Sequence, residues 1–210
     1  MSHLNADLNS LFIHVPKCAG TSMSSFPWNQ GNGHDTAADF DHRGELTAGL
    51  FVWAFVRNPW DRIACAYEDC PEVRTEAPTF RHFIERLHTC RDQFINLPWI
   101  RFVSLNCLGF KIGRIHWMPM HLLLRDLHGA MRSDFIGKVE CIDEDWGKLC
   151  THLGVENEGL PRKNIRESRA NRTRTPLQEL YDTSTLVDMV GEIYAQDIAL
   201  FNYEYDPMPI

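Results

Sequence analysis

The stretch Leu11 to Ser22, LFIHVPKCAGTS, does most to narrow what this chain can fold into. A short apolar run, Leu11 to Val15, is stopped by Pro16; Lys17, Ala19, Gly20, Thr21 and Ser22 follow, and apolar residues return at Met23 and Phe26. The order is strand, loop and helix start, the repeating joint of an α/β sheet. Exposed N–H groups at a helix N-terminus and the positive end of its dipole favour an anion in such a joint. Ala19 and Gly20 let the backbone approach closely, Thr21 and Ser22 bring hydroxyl donors, and Lys17 brings a mobile positive charge. The common nucleotide loop sets its Lys directly before Ser/Thr after GxxxxG. Here Lys17 precedes Thr21 across Cys18, Ala19 and Gly20, and the first Gly is missing. On composition alone, a polar strand-to-helix turn with no ligand stays open.

Phe51 to Val56, FVWAFV, is a second apolar strand, and its unbroken apolarity predicts burial on both faces. It runs straight into Arg57, Asn58, Pro59, Trp60, Asp61 and Arg62. Pro59 at a first turn and the spacing of Trp60, Ile63, Ala64 and Tyr67 predict a helix from about Pro59 to Glu68. Arg57, just past the strand end, falls at the crevice where open α/β sheets bind ligands. A planar guanidinium there can take two phosphate oxygens, and a surface ion pair is its other reading.

Together PKCAGTS (Pro16 to Ser22) and RNPWDRIACAY (Arg57 to Tyr67), in this order and each after an apolar strand, resemble the sulfotransferase superfamily. The likeness is to the branch that includes carbohydrate O-sulfotransferases and small bacterial relatives. The resemblance implies that Lys17, Cys18, Ala19, Gly20, Thr21 and Ser22 hold the 5′-phosphosulfate end of 3′-phosphoadenosine 5′-phosphosulfate (PAPS). It implies that the second motif, with Arg57, holds the 3′-phosphate. The family's Ser in that motif is Cys65 here, a poorer hydrogen-bond partner than a hydroxyl. Either backbone and Arg contacts hold the phosphate without it, or donor affinity is reduced.

Residues 28 to 44 are rich in Gly, Asn, Asp and His, which fits a functional loop or a short helix begun by Asp35 or Thr36. In the resembled family a His between the two motifs commonly takes the proton of the acceptor hydroxyl. GHDTAAD is similar to a His-x-Thr-Ala stretch of related proteins and points to His34, with His42 as second candidate. An imidazole with a pKa near ~6.5 can accept a proton at neutral pH; a solvated loop histidine is the plain alternative. His116, in HWMPM, resembles an HWxPQ stretch with Met120 in place of Gln, and is a further acceptor-site candidate. The basic run Pro161 to Arg174 is similar to a loop that folds over the nucleotide, implying phosphate contacts from Lys163, Arg166 and Arg169. A solvated loop fits that run equally.

Elsewhere, Phe80, Phe83, Ile84 and Leu87 predict an amphipathic helix over Pro78 to Cys90. Asp134 to Glu140 reads as a strand, and Asp143 would cap a helix closed by Gly154. Thr175 as N-cap and Pro176 as first residue would open another helix, and Ser184 or Thr185 a last one. The expected whole is α/β, a three-layer P-loop-like fold with a small parallel sheet and helices on both faces. It should be one domain over residues 1–210.

Composition serves to exclude. A net charge of -7 disfavours a general nucleic-acid surface, so any anion must be held by a local cluster. The 7 cysteines contain no CxxC pair, which leaves neither a zinc ribbon nor a thioredoxin motif, and no metal ligand set is evident. Their odd number and the lack of a secretory apolar region predict reduced thiols in a cytoplasmic protein. No apolar run approaches the ~20 residues of a membrane span. The expectation is a sulfotransferase that moves a sulfuryl group from PAPS to a hydroxyl of a carbohydrate or other small-molecule acceptor, releasing adenosine 3′,5′-bisphosphate. No nucleic-acid or membrane partner is expected, and the oligomeric state stays open. Lys17 would meet the bridging oxygen of the leaving phosphate and His34 the acceptor proton. Two readings from other classes remain. One is a module that binds the nucleotide without transfer, hinted at by Cys65 and Met120; the other is a P-loop kinase of a small metabolite, opposed by the missing GK[ST].

Overall fold

A computed structural model describes residues 2–29, 33–92, 114–161 and 175–207. Lys163, Arg166 and Arg169 lie outside the described residues. In chain order the strands are β1 (His3–Asn5), β2 (Ser10–Ile13), β3 (Phe51–Val56) and β4 (Phe135–Lys138). The helices are α1 (Gly20–Met23), α2 (Ala37–His42), α3 (Pro59–Asp69), α4 (Pro71–Glu76), α5 (Phe80–Thr89), α6 (Met120–Leu123), α7 (Ile142–Leu153), α8 (Leu177–Leu180), α9 (Ser184–Ile193) and α10 (Ala195–Phe201). The chain is thus mixed α/β, with a 4-stranded, mostly parallel sheet and helices around it. It divides into two compact units, Met1–Arg57 with Leu123–Thr173, and Asn58–Leu122 with Arg174–Ile210. Among the described residues no helix is long and apolar enough to cross a membrane.

The first unit carries the sheet, in the order β1-β2-β3-β4. β1 is antiparallel to β2, while β2, β3 and β4 run parallel, with Ile13 opposite Ala54 and Phe55 opposite Gly137. The unbroken apolarity of β3 follows from its place between two neighbours, where all but Phe51 are buried. Asp134 starts the β3–β4 pairing by exchanging bonds with one residue: its amide donates to the Val52 carbonyl at 2.7 Å, and its carboxylate accepts the Val52 amide at 2.8 Å. Gly137 is required, because a Cβ there would sit 2.4 Å from the Phe55 ring. On one sheet face Phe12 stacks on Trp53 at 4.3 Å, and α7 supplies Trp146, which stacks on Trp28 at 5.7 Å.

The second unit is helical. α3, α5 and α9 bury Trp60, Ile63, Tyr67, Phe83, Ile84, Leu87, Leu186, Val190 and Ile193 in one core. The Tyr181 hydroxyl donates to the Trp60 carbonyl at 2.9 Å, and the Tyr194 hydroxyl donates to the Trp117 carbonyl. Burial pushes both phenols well above their ordinary pKa, which keeps them as donors. Asp197, fully buried in α10, accepts the amides of Met120 and His121 at 2.6 and 2.8 Å and pairs with His121 Nδ1 at 2.6 Å, so one carboxylate pins the start of α6.

Several boundaries differ from the sequence expectation for local reasons. The first helix closes after one turn, where the buried Asn29 side chain donates to the Met23 carbonyl at 3.1 Å, and Pro27–Asn29 forms a separate 3-10 turn. Asp143 lies in the first turn of α7, and the carboxylate that reaches back from that turn is Asp145, which accepts the Lys138 amide at 2.8 Å. Gly154 closes α7 in the left-handed region as expected. Pro176 stands at the N-cap of α8, one position before the helix it was expected to open. β4 ends at Lys138, and Val139–Cys141 coils into a 3-10 turn.

Candidate active site

β2 and β3 are parallel neighbours in register, so the loops that leave their C-terminal ends emerge side by side, where open α/β sheets place their ligand crevice. The first loop turns sharply. Lys17 and Ala19 have φ of 68° and 59°, left-handed values that cost a side-chain-bearing residue roughly 1–2 kcal/mol each. Ala19 in the left-handed region followed by helical Gly20 is the alternation that turns successive amides toward one point, a nest for an anion. The amides of Cys18 and Ser22 are used inside the turn, by Val15 at 3.3 Å and Ala19 at 2.9 Å. Those of Ala19, Gly20 and Thr21 donate to none of the described residues. The Thr21 side chain is exposed and Ser22 is buried in the turn, while the Cys18 thiol points inward toward the Pro16 carbonyl at 3.7 Å.

Arg57 leaves β3 and turns to this loop, its Nη1 donating to the Lys17 carbonyl at a long 3.4 Å. The Arg57 guanidinium therefore meets the backbone of the loop that carries Lys17. A guanidinium has five donors in a fixed fork, the geometry that matches phosphate oxygens.

His34 belongs to the same unit. Thr36 is the N-cap of α2: its hydroxyl accepts the Asp39 amide at 3.2 Å and the Asp39 carboxylate accepts the Thr36 amide at 2.8 Å, a capping box that fixes the chain just after His34. Arg43 pairs with Asp35 at 3.1 Å. The His34 ring lies against that of His14, with centroids 4.5 Å apart, and the His14 ring lies on Gly20 so closely that a Cβ there would fall 2.0 Å from Nε2. His34, His14 and the loop thus form one contiguous cluster. His42 is exposed in the last turn of α2.

Cys65 and His116 belong to the second unit. Cys65 is buried within α3. His116 is half-buried in a short turn, Arg114–His116, held by the second Arg of the RNPWDR motif. That residue, Arg62, is buried and donates to the carbonyls of Met118 at 2.8 Å and Ile115 at 3.4 Å. Asn58 caps α3 by accepting the Trp60 amide at 3.1 Å and donates to the Glu204 carbonyl at 2.8 Å.

Sequence reasoning passed over His14, whose only signal is an imidazole inside an apolar strand run, and Ser2, which carries no signal at all. Among the described residues no group of three or more His, Cys, Asp or Glu could hold a metal ion. A model of the Sulfotransferase family matches residues 4–204. No curated protein and no solved structure matches the chain.

Proposed function

The chain belongs to the sulfotransferase family and is a sulfotransferase, and from that premise we propose that its donor is PAPS and its acceptor the hydroxyl of a carbohydrate or small alcohol. The observation that carries the reading is the pairing of the Lys17 loop with Arg57 at the ends of neighbouring parallel strands, linked by the bond from Nη1 to the Lys17 carbonyl. A nucleotide with phosphate at two positions needs two anion sites within one crevice. The amides of Ala19, Gly20 and Thr21 suit a 5′-phosphate, and the Arg57 fork suits a 3′-phosphate.

PAPS supplies a sulfuryl group attached to a phosphate that can depart. Lys17 serves the oxygen on which negative charge grows as the S–O bond breaks, an effect worth about 10²–10³ in rate for a single well-placed donor. His34 takes the proton that the acceptor hydroxyl loses as its oxygen bonds to sulfur. The net charge of -7 favours a neutral sugar or alcohol over a heavily sulfated polymer. The described cysteines are free thiols, five of them buried, which supports a reducing, cytoplasmic setting for a single domain of residues 1–210.

Calorimetry with adenosine 3′,5′-bisphosphate, AMP and ATP tests the donor. The bisphosphate should bind at least ~10-fold more tightly than AMP, because only it engages both sites; equal affinities would overturn the donor assignment. Sulfate transfer from PAPS to a panel of neutral sugars and alcohols then tests the reaction. His34→Ala should lose rate far more than donor affinity. A collapse of affinity with unchanged rate per bound complex would make His34 a binding residue.

A further inference from the structure

A general base carried on a loop needs something to hold it still, because a misplacement of about 1 Å can cost ~10²-fold in rate. His34 sits between Gly33 and Asp35 in a segment without regular structure, ahead of α2. The residue that reaches it comes from the other end of the unit. Ser2, 6% exposed, donates its amide to the Gly33 carbonyl at 3.1 Å and its hydroxyl to the Asp35 carbonyl at 2.6 Å. The same hydroxyl accepts the amide of His14 at 2.9 Å. One residue therefore grips both flanks of His34, Gly33 by its amide and Asp35 by its hydroxyl, and the hydroxyl ties them to the residue that follows β2. On the far side of that link, the His14 ring fills the space over Gly20 and carries the His34 ring at 4.5 Å.

We propose that Ser2 and His14 are positioning residues for His34: Ser2 clips the His34 segment to the end of β2, and the His14 ring sets the distance between the His34 imidazole and the anion loop. The proposal rests on the reading of His34 as the base. Neither residue touches the reacting atoms; each acts through His34. Two features of the sequence then acquire a cause. Gly20 cannot carry a Cβ because the spacer ring lies on it, and the chain needs an antiparallel edge strand, β1, to deliver Ser2 to the clip.

The test uses the full chain and three readouts. Ser2→Ala, which deletes the hydroxyl and keeps the backbone bond, should lower kcat for transfer from PAPS by ~10–100-fold. Calorimetric affinity for adenosine 3′,5′-bisphosphate should stay within ~2-fold of the parent, and Ser2→Thr should restore the rate. In NMR spectra, the His34 ring protons should lose the ring-current displacement that the neighbouring His14 ring imposes, in Ser2→Ala and in His14→Ala but not in His14→Phe, which keeps a ring. Unchanged kcat in Ser2→Ala, or unchanged His34 ring shifts in both Ser2→Ala and His14→Ala, would overturn the proposal. Should Ser2→Ala fail to fold, the pair at position 14 decides: His14→Phe must turn over faster than His14→Ala, and equal rates refute the spacer. If the parent protein binds no bisphosphate, the PAPS reading fails while the ring shifts still decide whether the clip exists.

Discussion

The two strand-to-helix joints that begin beside one another in the sheet are built on opposite principles. After β3 the helix start is capped locally: Asn58 caps α3, Pro59 occupies a first-turn position where its missing amide costs nothing, and the helix continues to Asp69. After β2, the amides of Ala19, Gly20 and Thr21 donate to none of the described residues. Ala19 stands at the N-cap with no side-chain bond, two residues with side chains are left-handed, and the helix closes after Met23. Amides left over at a helix start suit an anion, and the ligand proposed for this loop would use them. Arg57, at the end of β3, turns to the other loop.

The comparison is broken or sharpened first at Lys17. Lys17→Ala should cut turnover by about 10²–10³-fold. Its melting temperature should change little, because Ala keeps the same left-handed backbone cost. Near-normal turnover would remove Lys17 from the chemistry and leave the open joint without a function. Next comes the pair of arginines in one motif. Arg57→Ala should weaken adenosine 3′,5′-bisphosphate by ~10–100-fold, the worth of charge-assisted hydrogen bonds, with stability changed by less than ~0.5 kcal/mol. Arg62→Met should do the reverse. It strips the donor from two carbonyls in the second unit and should cost about 2–3 kcal/mol in urea unfolding, with bisphosphate affinity of the folded protein unchanged. If the two exchange roles, ligand sensitivity at Arg62 and stability at Arg57, the division between joints is wrong.

Much of the fold was legible in the sequence where the pattern is local. Pro59 after Asn58 announces a helix start, the apolarity of Phe51 to Val56 announces a central strand, and Lys17 and Arg57 follow strand ends. What escaped depends on residues distant in sequence. Nothing near Met23 says that Asn29 will end the helix, and nothing near Met120 says that Asp197 will anchor it. The RNPWDR motif reads as one functional unit, yet Arg57 turns to a loop and Arg62 is buried as a brace. Periodicity cannot separate them, because side-chain direction after a strand end is set by the neighbouring strand. Asp143 and Asp145 illustrate the same limit at short range: both are acidic first-turn residues, and only the path of the preceding 3-10 turn decides which reaches the Lys138 amide.

The smallest expected effect probes the strain itself. Ala19→Gly removes a Cβ from a residue at φ 59°, relieving roughly 1–2 kcal/mol, while the unfolded chain gains freedom worth about 0.4–1 kcal/mol. The difference leaves a net gain near ~0.5–1 kcal/mol, or a rise of about 1–4 °C in melting temperature for a chain of this size. Donor affinity should not rise with it, because a glycine at the nest frees the amides to wander from the point on which Ala19 holds them. Stability and affinity moving in opposite directions would show that the open joint keeps its strain for the ligand. A destabilised Ala19→Gly would mean the left-handed turn is relaxed as it stands, and the contrast with the β3 joint would then be one of vacant donors only.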